Sequence, residues 1–405
     1  MKVEILRLGH LGDGIAEGPV YVPGALPGEL VEGEVSGDVI AAPKIVTPSP
    51  ERVRAPCRHY KGCGGCALQH AADPFVAAWK TDVVRTALAG QGLEAEIRPI
   101  ATSPAQSRRR AVLAGRRTKK GVLLGFHGRA SDTVVAVPDC LLLHPELIAA
   151  FPALEALTLA GASRKGELSL TVTRCASGPD VAVSGGKELD VALHSELAGI
   201  AERFGLSRLA WGGEVVALRH PPYQAFGAAR VVPPPGAFLQ ATAEGEKTLL
   251  SAVSETVAGA RHVADLFAGC GTFALPLAEN AEVHAVEGSA EMTAALDKGW
   301  RAAPGLKRVT TEARDLFRRP LMADELRRFD AVVIDPPRAG AEAQAVELAR
   351  SEVPVIAAVS CNPVTFARDA RLLVQGGYRL DWVRPVDQFR WSPHVELAAR
   401  FSRTG

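Results

Sequence analysis

Over the first 48 residues apolar positions come in short runs, and glycine or proline interrupts them every few residues, as in LRLGHLGDGIAEGPVYVPGALPGELVEGEVSG. This spacing predicts a small all-β unit, 1–48, of the kind that closes into an oligonucleotide-binding barrel. The period then changes. Phe75, Ala78, Trp79, Val83, Val84, Ala87 and Leu88 recur at helical spacing and predict a helix over about 74–89. From about 99 to 235 the pattern is strand-rich and mixed, with VLLGFHG, TVVAVPDC, LSLTVT and EVVALRH as strand candidates. VVPPPGAF then marks a boundary, so 49–235 is expected to form a central α+β domain.

From about 236 to 405 strands and helices alternate. HVADLF, VHAVE, FDAVVID and VPVIAAVSC are apolar runs, each followed by turn residues and a helical pattern. Such alternation predicts a parallel, doubly wound sheet in an α/β fold. YRLDWVRPVDQF and HVELAARF read as two further strands that close one edge.

Candidate chemistry lies at the ends of these strands, where ligands bind in such sheets. In HVADLFAGCGTFALPLA, Gly269 and Gly271 let the backbone pass close to a ligand. Glu287 ends the next strand, where an acid suits ribose hydroxyls, and Asp315 follows the third, within reach of an adenine amino group. Thr272, Phe273 and Ala274 follow Gly271, so the third glycine of a phosphate-binding fingerprint is missing. A nucleoside cofactor without phosphates, such as S-adenosylmethionine, fits better than a dinucleotide.

FDAVVIDPPRAG ends in Asp335-Pro336-Pro337-Arg338, and VPVIAAVSCNPVTFARD in Ser360-Cys361-Asn362-Pro363. Asn362 suits a helix N-cap and Pro363 the first helical position, which sets Cys361 just before a helix N-terminus that favours thiolate. A thiolate there has a use. A thiolate can add to an unsaturated ring and leave the neighbouring carbon as an enolate nucleophile able to attack a methyl sulfonium. A base must then remove the proton from that carbon. In SPHVELAARF, His394 and Glu396 share one face if the segment is extended, and Glu396 is the candidate.

The chain is 47% apolar with a net charge of +1, so any phosphate-binding surface has to be local. The densest basic run is SRRRAVLAGRRTKKG, with Arg108, Arg109, Arg110, Arg116, Arg117, Lys119 and Lys120. No stretch suggests a membrane span or secretory signal, and a cytoplasmic protein is expected. Of the seven cysteines, Cys57, Cys63 and Cys66 cluster in C-x5-CGGC, and Cys140 in VPDC supplies a fourth thiol. Four thiolates suit zinc or a [4Fe–4S] cluster; the five-residue gap fits zinc knuckles poorly. Cys175 and Cys270 read as core thiols.

The pieces DLFAGCGTF, DPPRAG, SCNPVTFARD and HVEL resemble the RNA 5-methyluridine methyltransferase family. The resemblance spans nearly the whole chain. It implies a Rossmann-like class I methyltransferase domain, an N-terminal TRAM-type RNA-binding barrel, and a helical segment near 71–98 packed on the catalytic domain. It implies Cys361 as nucleophile and Glu396 as proton acceptor. Gln240, Phe267, Glu287, Asp315 and Asp335 match positions of the S-adenosylmethionine pocket, beside Gly269 and Thr272; Asp335 also lies close to the target base. Two departures stand out: Thr242 and Thr272 occupy positions where the family usually carries asparagine. The segment C-x5-CGGC-x2-QH resembles the iron–sulfur branch, which acts on 23S ribosomal RNA. The expected protein is thus a monomeric enzyme whose partner is RNA, whose cofactors are S-adenosylmethionine and a [4Fe–4S] cluster, and which holds a flipped uridine between aromatics such as Phe267 and Phe389.

Overall fold

The computed structural model describes residues 1–403. Three sheets organise it. The first is antiparallel, with strands Lys2–Leu8, Gly14–Ala16, Val20–Val22, Leu30–Glu32 and Lys44–Thr47. Lys2–Leu8 is central, and alternate residues Val3 and Ile5 face a core with Val22, Val31 and Ile40. Buried Glu29 accepts from the amides of Leu26 and Ser49 and pairs with Arg52, anchoring this unit to the next segment of the chain.

The second sheet has seven strands. Its middle strand Arg110–Thr118 pairs antiparallel with Gly121–His127 on one side and Glu167–Thr173 on the other. Asp180–Ser184 and Arg208–Trp211 are its parallel pair, and helix Val191–Arg203 makes the crossover that parallel neighbours require. Leu154 and Leu157, on helix Phe151–Gly161, and Leu197 pack against Leu113, Leu170 and Leu209.

The third sheet runs Val309–Ala313, Glu282–Glu287, His262–Leu266, Ala331–Ile334, Val355–Ser360, Glu396–Arg403, Tyr378–Asp387. The first five are mutually parallel and Glu396–Arg403 is antiparallel. Chain order reverses beside His262–Leu266, which makes a switch point there. Alternate residues feed two cores. Leu266, Val332, Ile356 and Phe401 face Leu348 and Phe366, whereas Val263, Val333, Val359 and Ala398 face Leu249 and Leu296. A strand apolar on both faces loses the polar alternation of a half-exposed one, which is why these runs read as continuous.

Helix Asp73–Ala89 packs on helix Pro363–Gln375 and strand Tyr378–Asp387, and its Val84 and Leu88 join the core on one face of the third sheet. Its Lys80 is fully buried, 2.5 Å from the Asp387 carboxylate and 3.1 Å from the Phe389 carbonyl. Strands Glu96–Ile97 and Ala101–Thr102 extend the third sheet beyond Tyr378–Asp387. At the other seam, the ribbon Gln224–Phe226 and Ala229–Val231 puts Phe226 and Val231 into the core on the opposite face of the third sheet, so this packing unit begins before residue 236. Among the described residues no helix is long and apolar enough to cross a membrane.

Candidate active site and cysteine cavity

The first glycine turn leaves strand His262–Leu266 through Phe267, which has φ +63°. A bulky residue in the left-handed region is held there only by its surroundings. Gly269 and Gly271 come next with φ +57° and +95°. A Cβ on Gly271 would lie 2.8–2.9 Å from Leu275 and Leu296, so only glycine fits. The helix expected after the turn is a single turn, Ala274–Leu277. Pro276 has no N–H to donate to a longer one.

Glu287 is half-buried and bridges the turn. Its Oε2 accepts from the Gly269 amide at 3.0 Å and its Oε1 from the Ser289 amide at 2.9 Å. Each oxygen keeps a lone pair for a further donor. Asp315 lies beyond strand Val309–Ala313, its Oδ1 accepting from the Phe317 amide at 3.0 Å, and Phe317 stacks at a tilt 5.4 Å from Phe267. Thr272 is half-buried, and its hydroxyl closes no hydrogen bond among the described residues.

Asp265 was not singled out from sequence. It is fully buried beneath the turn, and burial first, then Asp335, pushes its carboxyl well above the usual range. The Ala274 amide interacts with it only weakly, and neither oxygen closes a hydrogen bond of normal geometry. An orphaned acid under a glycine turn calls for a partner that the described residues do not supply. With Glu287 and Asp335 it fits a nucleoside bearing a cationic sulfonium. S-adenosylmethionine, when bound, supplies an electrophilic methyl group there. The usable signal for Asp265 was its place, the last polar residue before Leu266-Phe267 in an otherwise apolar strand.

The candidate reacting groups Cys361, Asp335 and Glu396 lie at the neighbouring strand ends. Asn362 caps helix Pro363–Gln375, its Oδ1 accepting from the Val364 amide at 3.1 Å and its Nδ2 donating to the Arg338 carbonyl at 3.0 Å. That second bond locks the Asp335-Pro-Pro-Arg loop to the turn carrying Cys361. Asp335 retains some surface exposure, yet its carboxyl is walled in. The Gln240 amide donates to its Oδ2 at 3.3 Å. Glu396 is 3% exposed at the start of its strand. His394 lies in the preceding turn, 3.4 Å from the Arg338 guanidinium, and so does not share an extended face with it.

Burial pushes Glu396 up to about 8, with Asp335 adding repulsion, and burial alone pushes Asp335 to about 7. The Cys361 thiol is pushed up to about 11, by burial first, then Glu396 and Asp335, against a smaller pull from Arg338. The helix N-terminus was expected to favour thiolate. Two nearby carboxyls and loss of water outweigh it, so the resting sulfur is protonated.

Gln388 is a second residue that sequence reasoning missed. It is 2% exposed, and its Nε2 donates both to Gln240 Oε1 at 2.6 Å and to Glu396 Oε2. An isolated amide side chain carries no motif by itself, so nothing in the sequence pointed to it. Of the expected aromatics, Phe389 lies beneath the Arg108 guanidinium, 5.6 Å from its ring centre.

Residues 233–404 match the family described as tRNA (Uracil-5-)-methyltransferase. An uncharacterized RNA methyltransferase of Brucella suis is 45% identical over 98% of this chain and 97% of its own length. The 23S rRNA (uracil(1939)-C(5))-methyltransferase of Halomonas elongata is 35% identical, covering 98% of this chain and 88% of that one. This chain belongs to the RNA (uracil-5-)-methyltransferase family. Among solved structures, a tRNA (uracil-54, C5)-methyltransferase of Pyrococcus abyssi, bound to S-adenosyl-L-homocysteine, superposes with a TM-score of 0.78. The match is 24% identical and covers 99% of this chain and 100% of that one, which shows a shared fold.

In this RNA methyltransferase the four clustered cysteines come together elsewhere. Cys57, Cys63, Cys66 and Cys140 line one small cavity with Tyr60, Gln69 and Phe126. Among the described residues no group of three or more His, Cys, Asp or Glu side chains is set to hold a metal ion. Gly64 lets the loop close, since a Cβ there would lie 2.8 Å from the His127 carbonyl. Burial pushes the Cys66 thiol up to about 12 and raises Cys63 and Cys140. Cys175 and Cys270 are buried core thiols.

This loop also touches the segment that leads to Glu396. The amides of Ala67 and Leu68 donate to the Trp391 carbonyl at 2.8 and 2.9 Å, and Trp391 has φ +59°. The cysteines are distant from Cys361 in sequence, but Cys66 immediately precedes residues that grip the loop leading to Glu396.

The basic run is divided. Arg109 is buried against the Gln240 carbonyl and Glu246, Arg110 donates to the Gly236 carbonyl, and Arg116 pairs with Glu167. Arg117, Lys119 and Lys120 alone stand exposed, at a hairpin tip. Strand register thus commits most of the run to internal contacts.

Proposed function

We propose that this enzyme methylates carbon 5 of a uridine in 23S ribosomal RNA through a covalent Cys361–uracil adduct. The observation that carries the reading is the convergence of Cys361, Asp335 and Glu396 at adjoining strand ends. The sulfur of Cys361 bonds to carbon 6 as its proton passes to Asp335, the acid nearest neutrality, so no free thiolate has to accumulate. A thiol of high pKa is also the stronger nucleophile once deprotonated. The enolate's carbon 5 takes the methyl group from the cofactor sulfonium. Glu396 then accepts the carbon-5 proton, the double bond re-forms and the carbon–sulfur bond breaks.

Gln240, Phe267, Gly269, Thr272, Glu287, Asp315 and Asp335 form the cofactor side of the pocket. The target base leaves its stack to reach Cys361, and Phe389, under Arg108, is placed to face it. The N-terminal sheet serves as an RNA-binding barrel. Cys57, Cys63, Cys66 and Cys140 hold a [4Fe–4S] cluster, for which four thiols around one cavity are the supporting chemistry. Those cysteines and the Halomonas relative favour ribosomal over transfer RNA.

The test is transfer of labelled methyl from S-adenosylmethionine to unmodified ribosomal and transfer RNA, with nucleoside analysis of the product. Label as 5-methyluridine in ribosomal RNA is expected. The same product in transfer RNA alone keeps the mechanism and overturns the substrate. Anaerobic protein without iron and sulfide removes the cluster.

A further inference from the structure

We infer that Gln388 is a positioning residue for methyl transfer: its amide aims the Glu396 carboxylate and ties it to the Gln240–Asp335 pair on the cofactor side. The inference rests on the reading of Glu396 as the proton acceptor.

Gln388, Glu396, Gln240 and Thr242 are each no more than 3% exposed, so their polar atoms have to satisfy one another. The amide orientation of Gln388 is set by its neighbours. Its two N–H groups meet two acceptors, Gln240 Oε1 at 2.6 Å and Glu396 Oε2, while its Oε1 accepts the Thr242 amide at 3.3 Å. A flipped amide would set oxygen against both acceptors and nitrogen against a donor. Gln240 is oriented in turn, because its oxygen is taken by Gln388 and its nitrogen faces Asp335 Oδ2 at 3.3 Å.

The surroundings are shaped to keep Gln388 in place. It directly succeeds Asp387, whose carboxylate accepts from buried Lys80 at 2.5 Å and from the Phe389 amide at 3.1 Å. The backbone is thus clamped on both sides. On helix Ala243–Thr256, Gly245 leaves the necessary room; a Cβ there would lie 2.7 Å from Gln388 Cβ and 2.8 Å from its Oε1.

The consequence falls on Glu396. A carboxyl's terminal torsion is broad, and one strong donor on Oε2 fixes it. Its Oε1 closes no hydrogen bond among the described residues and is left for the proton from carbon 5. A donor to the carboxylate also favours the ionised form, against the burial that raises it. Mere core satisfaction would predict only lost stability when Gln388 is removed. A positioning role predicts a defect in one step.

The experiment uses full-length Gln388→Met, which keeps the volume and removes the donor, with the RNA that the wild type methylates. Methylation is expected to slow about tenfold, the scale of one hydrogen bond to a charged group. The covalent protein–RNA species should accumulate, and the pH of half-maximal resolution should move up. On a Glu396→Gln background the same change should add nothing, since both act on one step. Normal adduct decay with an unmoved pH profile in folded Gln388→Met, or additive losses in the double variant, overturns the inference. Should Gln388→Met not fold, Gln388→Asn keeps the amide one methylene short and must show the same accumulation; normal decay in it overturns the inference too. If Glu396→Gln itself turns over normally and traps nothing, the reading of Glu396 fails, and this inference with it.

Discussion

Two thiol environments share this chain and are built for different partners. Cys361 is half-buried at the edge of a parallel sheet, with Asp335 and Glu396 beside it and Arg338 as the nearby cation. The other four line a cavity in which no carboxylate takes part. Burial raises the thiol in both places. The second influence differs. Around Cys361 it comes from carboxyl groups, which can also take its proton. Among the four it is a hydrogen bond that lowers, from the Gly65 amide at Cys63 and from Gln69 at Cys66, and only then do the neighbouring thiols raise each of them. A thiol among acids is a place where protons move during a reaction. Thiols gathered around one cavity, away from any lining carboxylate, are where the proposed cluster would sit.

The largest effect should come from erasing the first environment. Cys361→Ala is expected to cut turnover at least about a thousandfold, as removal of a nucleophile does. Cofactor affinity, measured by calorimetry, should not change. Methylation retained in this variant would make Cys361 one more structural thiol and dissolve the contrast.

The second environment predicts a different loss. Cys66→Ser should lose iron and sulfide and lower the melting temperature on the order of 15 °C, because metal binding is folding energy where the site is otherwise loops. Hydrogen exchange at the Ala67 and Leu68 amides, now bonded to Trp391, should quicken at the same time. An unchanged melting temperature and unchanged exchange would mean that the cavity holds itself together without metal.

Between the two environments lies the Lys80–Asp387 pair, fully buried and 2.5 Å apart. Removing one partner strands the other charge, and Lys80→Met should cost about 3–5 kcal/mol in denaturant melts. Adding Asp387→Asn should recover part of it. A Lys80→Met protein as stable as wild type would show that the pair does not hold the helix to the sheet.

These contacts also show what was legible in the sequence. The third sheet was readable because its strands are apolar on both faces and its loops carry dense motifs; Cys361, Asp335 and Glu396 were picked out as candidates that way, and the fold brings them together. The protonation of Cys361 was not, since it depends on two carboxyls brought from other strands. Gln388 and Lys80 were invisible for a related reason: a lone Gln or Lys is ordinary until its partners, far along the chain, are known. The basic run misled because strand register, which turns Arg109 inward and leaves Lys119 out, is set by pairing. The seam near 236 was read from prolines, whereas the ribbon ending at Val231 already packs with the catalytic core.

The acids beside Cys361 should leave a signature in stability. Glu396 stands near 8 against an ordinary 4.5, and Asp335 near 7 against 3.8. With folded values above unfolded ones, the native chain binds more protons than the unfolded chain across that window. Their contribution is therefore full below about pH 4 and is lost as pH rises through 7 to 8. Cofactor-free Glu396→Gln should melt higher than wild type at pH 8.5, and the difference should shrink at pH 5. A difference of the same size at both values would place the ionisation elsewhere.

The smallest effect tests whether the sheet beside the cysteine cavity also faces RNA. Phe126, on strand Gly121–His127, lines the cysteine cavity, and the tip of the same hairpin exposes Lys119 and Lys120. If the tip meets phosphates, Lys119→Ala with Lys120→Ala should lower the salt dependence of RNA binding by about 1.5 in log–log slope. Affinity should fall only a few-fold near physiological salt, and kcat should hold, because the hairpin tip takes no part in the catalytic pocket. An unchanged slope would leave the hairpin as solvated surface. The link between the cysteine loop and the candidate site would then rest on the Ala67 and Leu68 amides at the Trp391 carbonyl.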